Sequence, residues 1–356
     1  MKTEHVLIIR FSALGDVAMT VPVVASLASQ YPHVRFTVLS RGFAKAFFED
    51  LAPNVGFMEA DLKQEYRGVR GLNSLYRRLN AKHFTAIADL HNVLRSEYLR
   101  ARFNLGRYKV QHINKHRLGK RRLVAASNKR LVQQPTSIQN YCDVFNKLGY
   151  PVTLTFKSIF GEGKGDLSLL PPSIGQKEAR QLWLGIAPFA AHEGKIYPLP
   201  LMEEVIRQVT ERRPDCRIFL FGGGEKEFET FAHWCNRFPQ CTNASQQLHG
   251  LRQELILMSH LDLMLSMDSG NMHLASLTGT PVVSVWGATH PYAGFMGYNQ
   301  NPDDAIQIDL PCRPCSIYGN KPCLRGDYAC LQHITPDVIV QKLTAVYQRQ
   351  QAAPGT

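Results

Sequence analysis

LDLMLSMDSGNMHLASLTGTPVVSVWG, residues 261–287, reads as strand, turn, helix, turn, strand. Leu261–Met267 is a short apolar run, and Pro281–Trp286 is a second, rich in β-branched residues. Asp268-Ser269-Gly270-Asn271 between them supplies helix-capping residues, and the short helix that follows ends by Gly279. A unit of this kind points the first backbone N–H groups of its helix, Ser269–Met272, out of the carboxyl edge of a parallel sheet. Phosphates and other anions collect at that position. Asp268 competes with this reading, because a carboxylate at the cap takes the same N–H groups. An ordinary βαβ unit with a good N-cap remains the alternative.

Outward from this unit, the 356 residues suffice for two domains, and 44% hydrophobic content provides a sizeable core. No run approaches the ~20 apolar residues of a membrane-spanning helix. The chain enters the strand-like VLIIR after Glu4 without a signal-peptide pattern, so a cytoplasmic location is expected. Eight cysteines suit that compartment as reduced thiols or metal ligands.

The net charge of +12 is unevenly spread. Residues 1–150 carry 24 Lys/Arg against 10 Asp/Glu, whereas residues 151–356 carry 17 against 19. Arg107–Arg130 alone holds nine Lys/Arg, His112 and His116, and no acid. Such a run is either a solvated face or a surface for an anionic membrane, a phosphorylated substrate or nucleic acid. Nothing matches a helix-turn-helix, zinc-finger or RNA-recognition pattern, so nucleic acid is the weakest of these partners.

In chain order, Val6–Ile9 is an apolar strand and Arg10–Asp16 (RFSALGD) is the loop leaving it. A helix is expected over Val17–Gln30, with Asp16 near its N-cap. Strands follow at Arg35–Leu39, Val55–Glu59, Thr85–Asp89 and Lys109–Ile113, with helices at Val93–Arg102 and Ser137–Leu148. Strands alternating with helices imply a parallel sheet covered on both faces. One glycine in the first loop is too few for a dinucleotide fingerprint, but Asp16 sits at the edge where ligands of such sheets bind.

GEGKGDLSLLPPSIGQ, residues 161–176, is the linker, and the pattern then restarts. Leu182–Ala187 is a strand leading into PFAAHEGKIYP; Leu199–Arg212 is an amphipathic helix. Cys216–Phe221 is a strand ending in Gly222-Gly223-Gly224, and Glu225–Phe238 is the next helix. The glycines permit a tight turn, and equally a close approach of a ligand to the backbone. Leu255–Ser259 is a further helical stretch before the decisive unit. The domains expected are 1–160 and 177–335, joined by the linker, with 336–356 as a C-terminal helix and tail. Two such α/β halves leave a cleft between facing carboxyl edges, where Asp16 meets Asp268–Met272. Near the end, Cys312, Cys315, Cys323 and Cys330 follow a C-x2-C-x7-C-x6-C spacing. The opening pair suits structural zinc, while the second pair is wider than a zinc ribbon, so metal and free thiols both stay open.

The chain resembles bacterial glycosyltransferase family 9, the lipopolysaccharide heptosyltransferases, over essentially its whole length. The resemblance rests on VLIIRFSALGDVAMTVPVVASL, on LSMDSGNMHLASLTGTPVVSVWGATHP and on the closing CLQHITPDV. It implies a GT-B fold of two facing Rossmann-like domains with parallel sheets, the first binding acceptor and the second nucleotide sugar. It further implies inverting, metal-independent transfer of heptose from ADP-heptose to the phosphorylated inner core, with no cofactor. By position, Asp16 is similar to the family's catalytic base and Lys195 to its donor-phosphate contact. Glu225 matches the ribose contact; Asp268, Ser269 and Gly270 match sugar and diphosphate contacts, flanked by Asn271 and His273. Two departures fall on the donor side: the family's Lys-Arg-Trp-Pro is here Lys195-Ile196-Tyr197-Pro198, and Thr-Asp-Pro is Thr289-His290-Pro291.

The chemistry agrees with the residues. No Asp-x-Asp pair is present to hold a cation, so leaving-diphosphate charge falls to the Ser269–Met272 N–H groups and Lys195. On this reading Asp16 is expected to take the acceptor proton, and Asp268 to bind donor-sugar hydroxyls rather than phosphate. Lys120, Arg121 and Arg122 are the expected surface for a phosphorylated glycolipid at the inner face of the membrane, a peripheral contact without nucleic acid. Competing readings are a sugar-nucleotide epimerase of the same fold, which has no use for the basic run, and a nonenzymatic membrane- or nucleic-acid-binding protein.

Overall fold

The computed structural model describes residues 4–352. Two parallel sheets account for the apolar runs. In the first, β1 (His5–Ile9), β2 (Arg35–Ser40), β3 (Val55–Glu59), β4 (Ala86–Asp89) and β5 (Lys109–His112) lie in the order β3-β2-β1-β4-β5. In the second, β6 (Trp183–Ala187), β7 (Arg217–Leu220), β8 (Cys241–Asn243), β9 (Leu263–Met267), β10 (Val282–Val285) and β11 (Ala305–Ile306) lie in the order β11-β10-β9-β6-β7-β8. The β1, β4, β6, β9 and β10 strands are apolar along nearly their whole length because helices cover both faces.

Both sheets reverse direction once. The chain moves from β1 outward through β2 and β3, then restarts on the other side with β4. The second sheet does the same between β6 and β9. Each reversal separates two neighbouring carboxyl-edge loops and opens a crevice between them, the position at which doubly wound sheets bind ligands. In the first sheet those loops carry Arg10–Asp16 and His91; in the second they carry Lys195 and Asp268.

The helix expected over residues 17–30 is two helices, Leu14–Ala18 and Val21–Gln30. Pro22 lacks an N–H and stands in the first turn of the second helix, where that costs nothing. Thr20 Oγ1 donates to the Val17 carbonyl at 2.7 Å and closes the break. Asp16 consequently lies inside the first turn of the short helix rather than at its cap. Helix Gly68–Asn80 was not anticipated; its Leu72, Leu75 and Leu79 stripe joins the first core beside Phe84 and Leu99. The C-terminal helix, Pro336–Ala352, buries Ile339, Val340, Leu343 and Val346 against helix Leu199–Arg212 and the second sheet.

The chain divides into two compact units. One holds residues up to Lys115 together with Pro135–Gly161; the other holds His116–Gln134 and the chain from Glu162 onward. The middle of the basic run thus packs with the second unit, not with the first where the sequence reading put its charge. Three contacts explain this. Lys120 lies over the Phe295 ring at 4.1 Å, the Gln134 N–H donates to the Tyr292 carbonyl at 2.9 Å, and Lys129 donates to the Pro314 carbonyl at 3.0 Å. Among the described residues no helix is long and apolar enough to cross a membrane.

Candidate functional site

In the first unit, Arg10 is the first polar residue after the apolar run Val6–Ile9, and it stays buried, 6% exposed. Its guanidinium donates to the Leu90 carbonyl at 2.7 Å and pairs with the Asp16 carboxylate at 2.6 Å. Burial disfavours the Arg10 charge, but Tyr141, Asp16 and Asp89 outweigh it, so its pKa is raised. Asp16 also accepts the Ala13 N–H at 3.2 Å, and Tyr141 donates to the Asp16 main-chain carbonyl at 3.2 Å. The carboxylate is therefore held by Arg10 and the Ala13 N–H, with its backbone fixed by Tyr141, yet its side chain is a third exposed. Sequence reasoning quoted Arg10 but assigned it no role; a charged residue closing an apolar strand was the available signal.

His91 stands across the crevice on the loop after β4. The buried Asp89 carboxylate accepts the N–H groups of His91 and Asn92 at 2.9 and 2.8 Å and pairs with Arg100 at 3.1 Å, which fixes this loop. His91 Nδ1 accepts the Phe11 N–H at 3.4 Å, so the ring proton sits on Nε2, 3.5 Å from Ser12 Oγ. Burial, with Arg10 and Lys115 adding to it, pushes the imidazole down to about 3, and the ring is neutral at physiological pH. A cavity of about 380 Å³ opens beside it, walled by Phe11, Ser12 and His91 and ringed by the exposed cations Arg41, Lys63 and Arg95. Three exposed cations around a cavity give it a positive rim suited to an anion.

In the second unit, the loops after β6, β7 and β9 bring Lys195, Glu225 and Asp268–Asn271 to one sheet edge. Asp268 is 3% exposed and does not cap the helix. Its carboxylate pairs with Lys195 Nζ at 3.1 Å and accepts from Thr289 Oγ1 at 2.8 Å. The N-cap of helix Gly270–Leu277 is Ser269, one residue later, and its hydroxyl makes no capping bond, lying instead 3.3 Å from Ser266 Oγ. The competition expected between Asp268 and an anion thus does not arise. The first N–H groups of the helix have no side-chain cap, and the Lys195 ammonium is paired with Asp268, two residues before Gly270.

Ser269, Gly270 and Asn271 are half-buried at this edge, whereas His273 is buried within the helix. Glu225 begins helix Glu225–Arg237 and projects into solvent. The glycines before it have distinct duties. A Cβ at Gly222 would collide with the Glu227 carboxylate, and Gly224 adopts φ +130, which L side chains rarely reach. Glu227 in turn accepts the Gly223 N–H at 2.6 Å, leaving Glu225 outside the turn's own bonding.

His290 stands between Thr289 and Pro291, where the resemblance led to the expectation of an aspartate. Its Nδ1 accepts the Tyr292 N–H at 3.0 Å, and burial followed by Arg313 pushes it down to about 4. It presents a neutral ring where a carboxylate would be charged.

The remaining predicted residues separate. Lys120 is buried, while Arg121 and Arg122, on the same helix Arg117–Leu123, are exposed beside Leu118. Lys120 therefore lies off the solvent face that the three were expected to share. Cys312, Cys315, Cys323 and Cys330 come together around a void of about 20 Å³ as free thiols. Among the described residues, no group of three or more His, Cys, Asp or Glu side chains is arranged to hold a metal ion. The zinc arrangement that the spacing allowed is accordingly not formed by these side chains.

The family model described as glycosyltransferase family 9 (heptosyltransferase) matches residues 72–322. The chain is 22% identical to lipopolysaccharide heptosyltransferase 1 of Campylobacter coli, covering 83% of this chain and 87% of that relative. It is 25% identical to the lipopolysaccharide core heptosyltransferase OpsX of Haemophilus influenzae, covering 85% and 83%. Among solved structures, it superposes on E. coli heptosyltransferase WaaC with ADP at a TM-score of 0.65, with 17% identity, over 96% of this chain and 99% of the other.

Proposed function

The chain belongs to glycosyltransferase family 9 and has the GT-B fold; from this premise we propose that it transfers heptose from ADP-heptose to the phosphorylated inner core of lipopolysaccharide. The observation that carries the reading is the uncapped helix start at Gly270, with the Lys195 ammonium paired to Asp268 two residues ahead of it. It is a cradle for a diphosphate at the reversal point of the second sheet. The lipopolysaccharide heptosyltransferases among its relatives and the ADP of the WaaC structure support the choice of donor.

The proposed reaction is a single displacement. The acceptor hydroxyl oxygen attacks the anomeric carbon as the bond to the diphosphate oxygen breaks, which inverts the centre; the hydroxyl proton passes to Asp16. Negative charge grows on the departing diphosphate and is met by Lys195 Nζ and the N–H groups of Gly270 and Asn271, donors fixed before reaction. Glu225 accepts from the ribose hydroxyls, and Asp268, held by Lys195 and Thr289, accepts from the heptose. Arg41, Lys63 and Arg95 receive the acceptor's phosphates. No metal is required by these roles. Incubating the enzyme with ADP-heptose, ADP-glucose, UDP-sugars and a lipopolysaccharide-core acceptor, and reading nucleotide diphosphate release, tests the proposal. Release from ADP-heptose only in the presence of acceptor is expected; acceptor-independent turnover, or preference for another donor, would overturn it.

A glycolipid acceptor puts the enzyme at the inner face of the inner membrane as a cytoplasmic, peripheral protein. Arg117, Arg121, Arg122 and Arg130 are exposed and form no ion pair among the described residues, and Leu118 is 63% exposed between them. Replacing Arg121 and Arg122 by Ala is expected to weaken binding to anionic vesicles by on the order of 1 kcal/mol per charge, with a steep salt dependence. Lys120→Ala, by contrast, is expected to leave vesicle binding intact, because its ammonium lies over Phe295. Vesicle sedimentation that ignores salt and both arginines would reduce the segment to a solvated surface.

A further inference from the structure

We propose that the cysteine-rich loop, residues 312–330, is a positioning element of the donor site, acting on Lys195 through Gly319 and Tyr328. The inference rests on the assignment of Lys195 to the donor diphosphate. No part of the loop belongs to the sheet edge just described, yet it forms the wall against which the lysine lies. Gly319, at φ +75, takes the Lys195 stem where a side chain would stand; a Cβ there would lie 2.5 Å from both Lys195 Cγ and Cδ. Those atoms are the middle of the lysine chain, so they cannot swing clear without moving the ammonium from Asp268. Tyr328 donates its hydroxyl to Glu193 Oε2 at 3.1 Å and so fixes the turn Glu193–Lys195 from the other side.

The loop is itself stitched to the residues beneath. The Cys315 and Ser316 N–H groups both donate to the Ala288 carbonyl, at 3.1 and 3.2 Å, and the Ala288 N–H donates to the Gly194 carbonyl at 2.8 Å. Arg313, 4% exposed, donates to the carbonyls of Gly287 at 2.6 Å and Thr289 at 2.9 Å. Thr289 is the residue whose hydroxyl holds Asp268. Both members of the Lys195–Asp268 pair are therefore reached from one loop: the lysine through Gly319 and Tyr328, the aspartate through Arg313 and Thr289. Gly194 and Gly287 permit this closeness, since a Cβ at Gly287 would lie 2.6 Å from the Gly194 carbonyl oxygen. A misplaced ammonium loses alignment with a fixed helix start, and displacements near 1 Å cost about 100-fold in well-oriented sites.

The test is a double-mutant cycle read by calorimetric titration with ADP on the full chain, using Gly319→Ala, Lys195→Met and the double variant. Gly319→Ala is expected to weaken ADP by on the order of 10-fold, and to add little when Lys195 is already gone, because both changes remove the same contact. Folding is checked by melting temperature and near-ultraviolet dichroism; should Gly319→Ala not fold, Tyr328→Phe is read in the same cycle, with an expected loss of about threefold from one hydrogen bond. A folded Gly319→Ala with unchanged ADP affinity, or effects that multiply in the double variant, would overturn the inference. Unchanged ADP affinity in Lys195→Met alone would instead overturn the donor assignment beneath it. Acceptor KM serves as the discriminating readout, since a change confined to the donor leaves it unaltered, whereas a general loosening of the fold moves both.

Discussion

Replacing Asp16 by Asn is expected to lower turnover by about 10²–10⁴-fold while ADP affinity stays at the wild-type value. The amide keeps the size of the carboxylate and its place in the helix turn but has no lone pair basic enough to take the acceptor proton. ADP binding survives because the proposed diphosphate cradle, Lys195 and the helix start at Gly270, belongs to the other unit. The variant also leaves Arg10 charged, 6% exposed and without its carboxylate, so a lower melting temperature accompanies the loss of rate. The two effects separate on measurement. Single-turnover rate at a temperature well below the melting transition reports the base, and thermal unfolding reports the broken ion pair. Near-normal turnover in folded Asp16→Asn would remove Asp16 from the mechanism. His91 offers no substitute base, because one ring nitrogen accepts the Phe11 N–H and the other carries the proton.

The layout of the site was legible in the sequence wherever it depends on local periodicity. Apolar runs followed by Gly-, Ser- or Asp-containing turns gave the strands and therefore the edge at which Asp16, Lys195, Glu225 and Asp268 emerge. What stayed hidden depends on side chains meeting across the fold. Asp268 was expected either to cap its helix or to face the ligand; its bond to Lys195 needs the order β9-β6 to set two loops side by side, which no window of sequence contains. Arg10 was read as part of a loop because its partner lies in the next turn and its bond to Leu90 reaches the loop after the neighbouring strand. Lys120 was counted among surface charges since nothing in a basic run marks the one residue that folds over a distant phenylalanine. The cysteines were read as either metal ligands or free thiols, whereas the contact of their loop with Lys195 runs through Gly319, a residue that spacing rules do not weigh.

Replacing Lys195 by Met is expected to cost stability and donor binding together, and the two losses can be divided by a second substitution. Lys195 and Asp268 pair at 3.1 Å with side chains 15% and 5% exposed. Removing the ammonium strands a nearly buried carboxylate whose one remaining bond in the structure comes from Thr289, a penalty on the order of 3 kcal/mol. The same change deletes a charge-assisted donor to the diphosphate, worth about 1.5–3 kcal/mol, or roughly 10- to 100-fold in ADP affinity. Turnover falls at least as far as affinity, because diphosphate charge grows as the sugar leaves and the interaction is stronger at that point than in the bound donor. The Lys195→Met/Asp268→Asn double variant neutralises both partners at once. Its melting temperature is expected to recover most of the loss, since an amide can keep the Thr289 bond without a buried charge. Its ADP affinity is expected to stay low, because nothing replaces the ammonium at the helix start. Recovery of both stability and affinity would make Lys195 no more than the counter-ion of Asp268; recovery of stability alone leaves the diphosphate as the group for which the lysine is held.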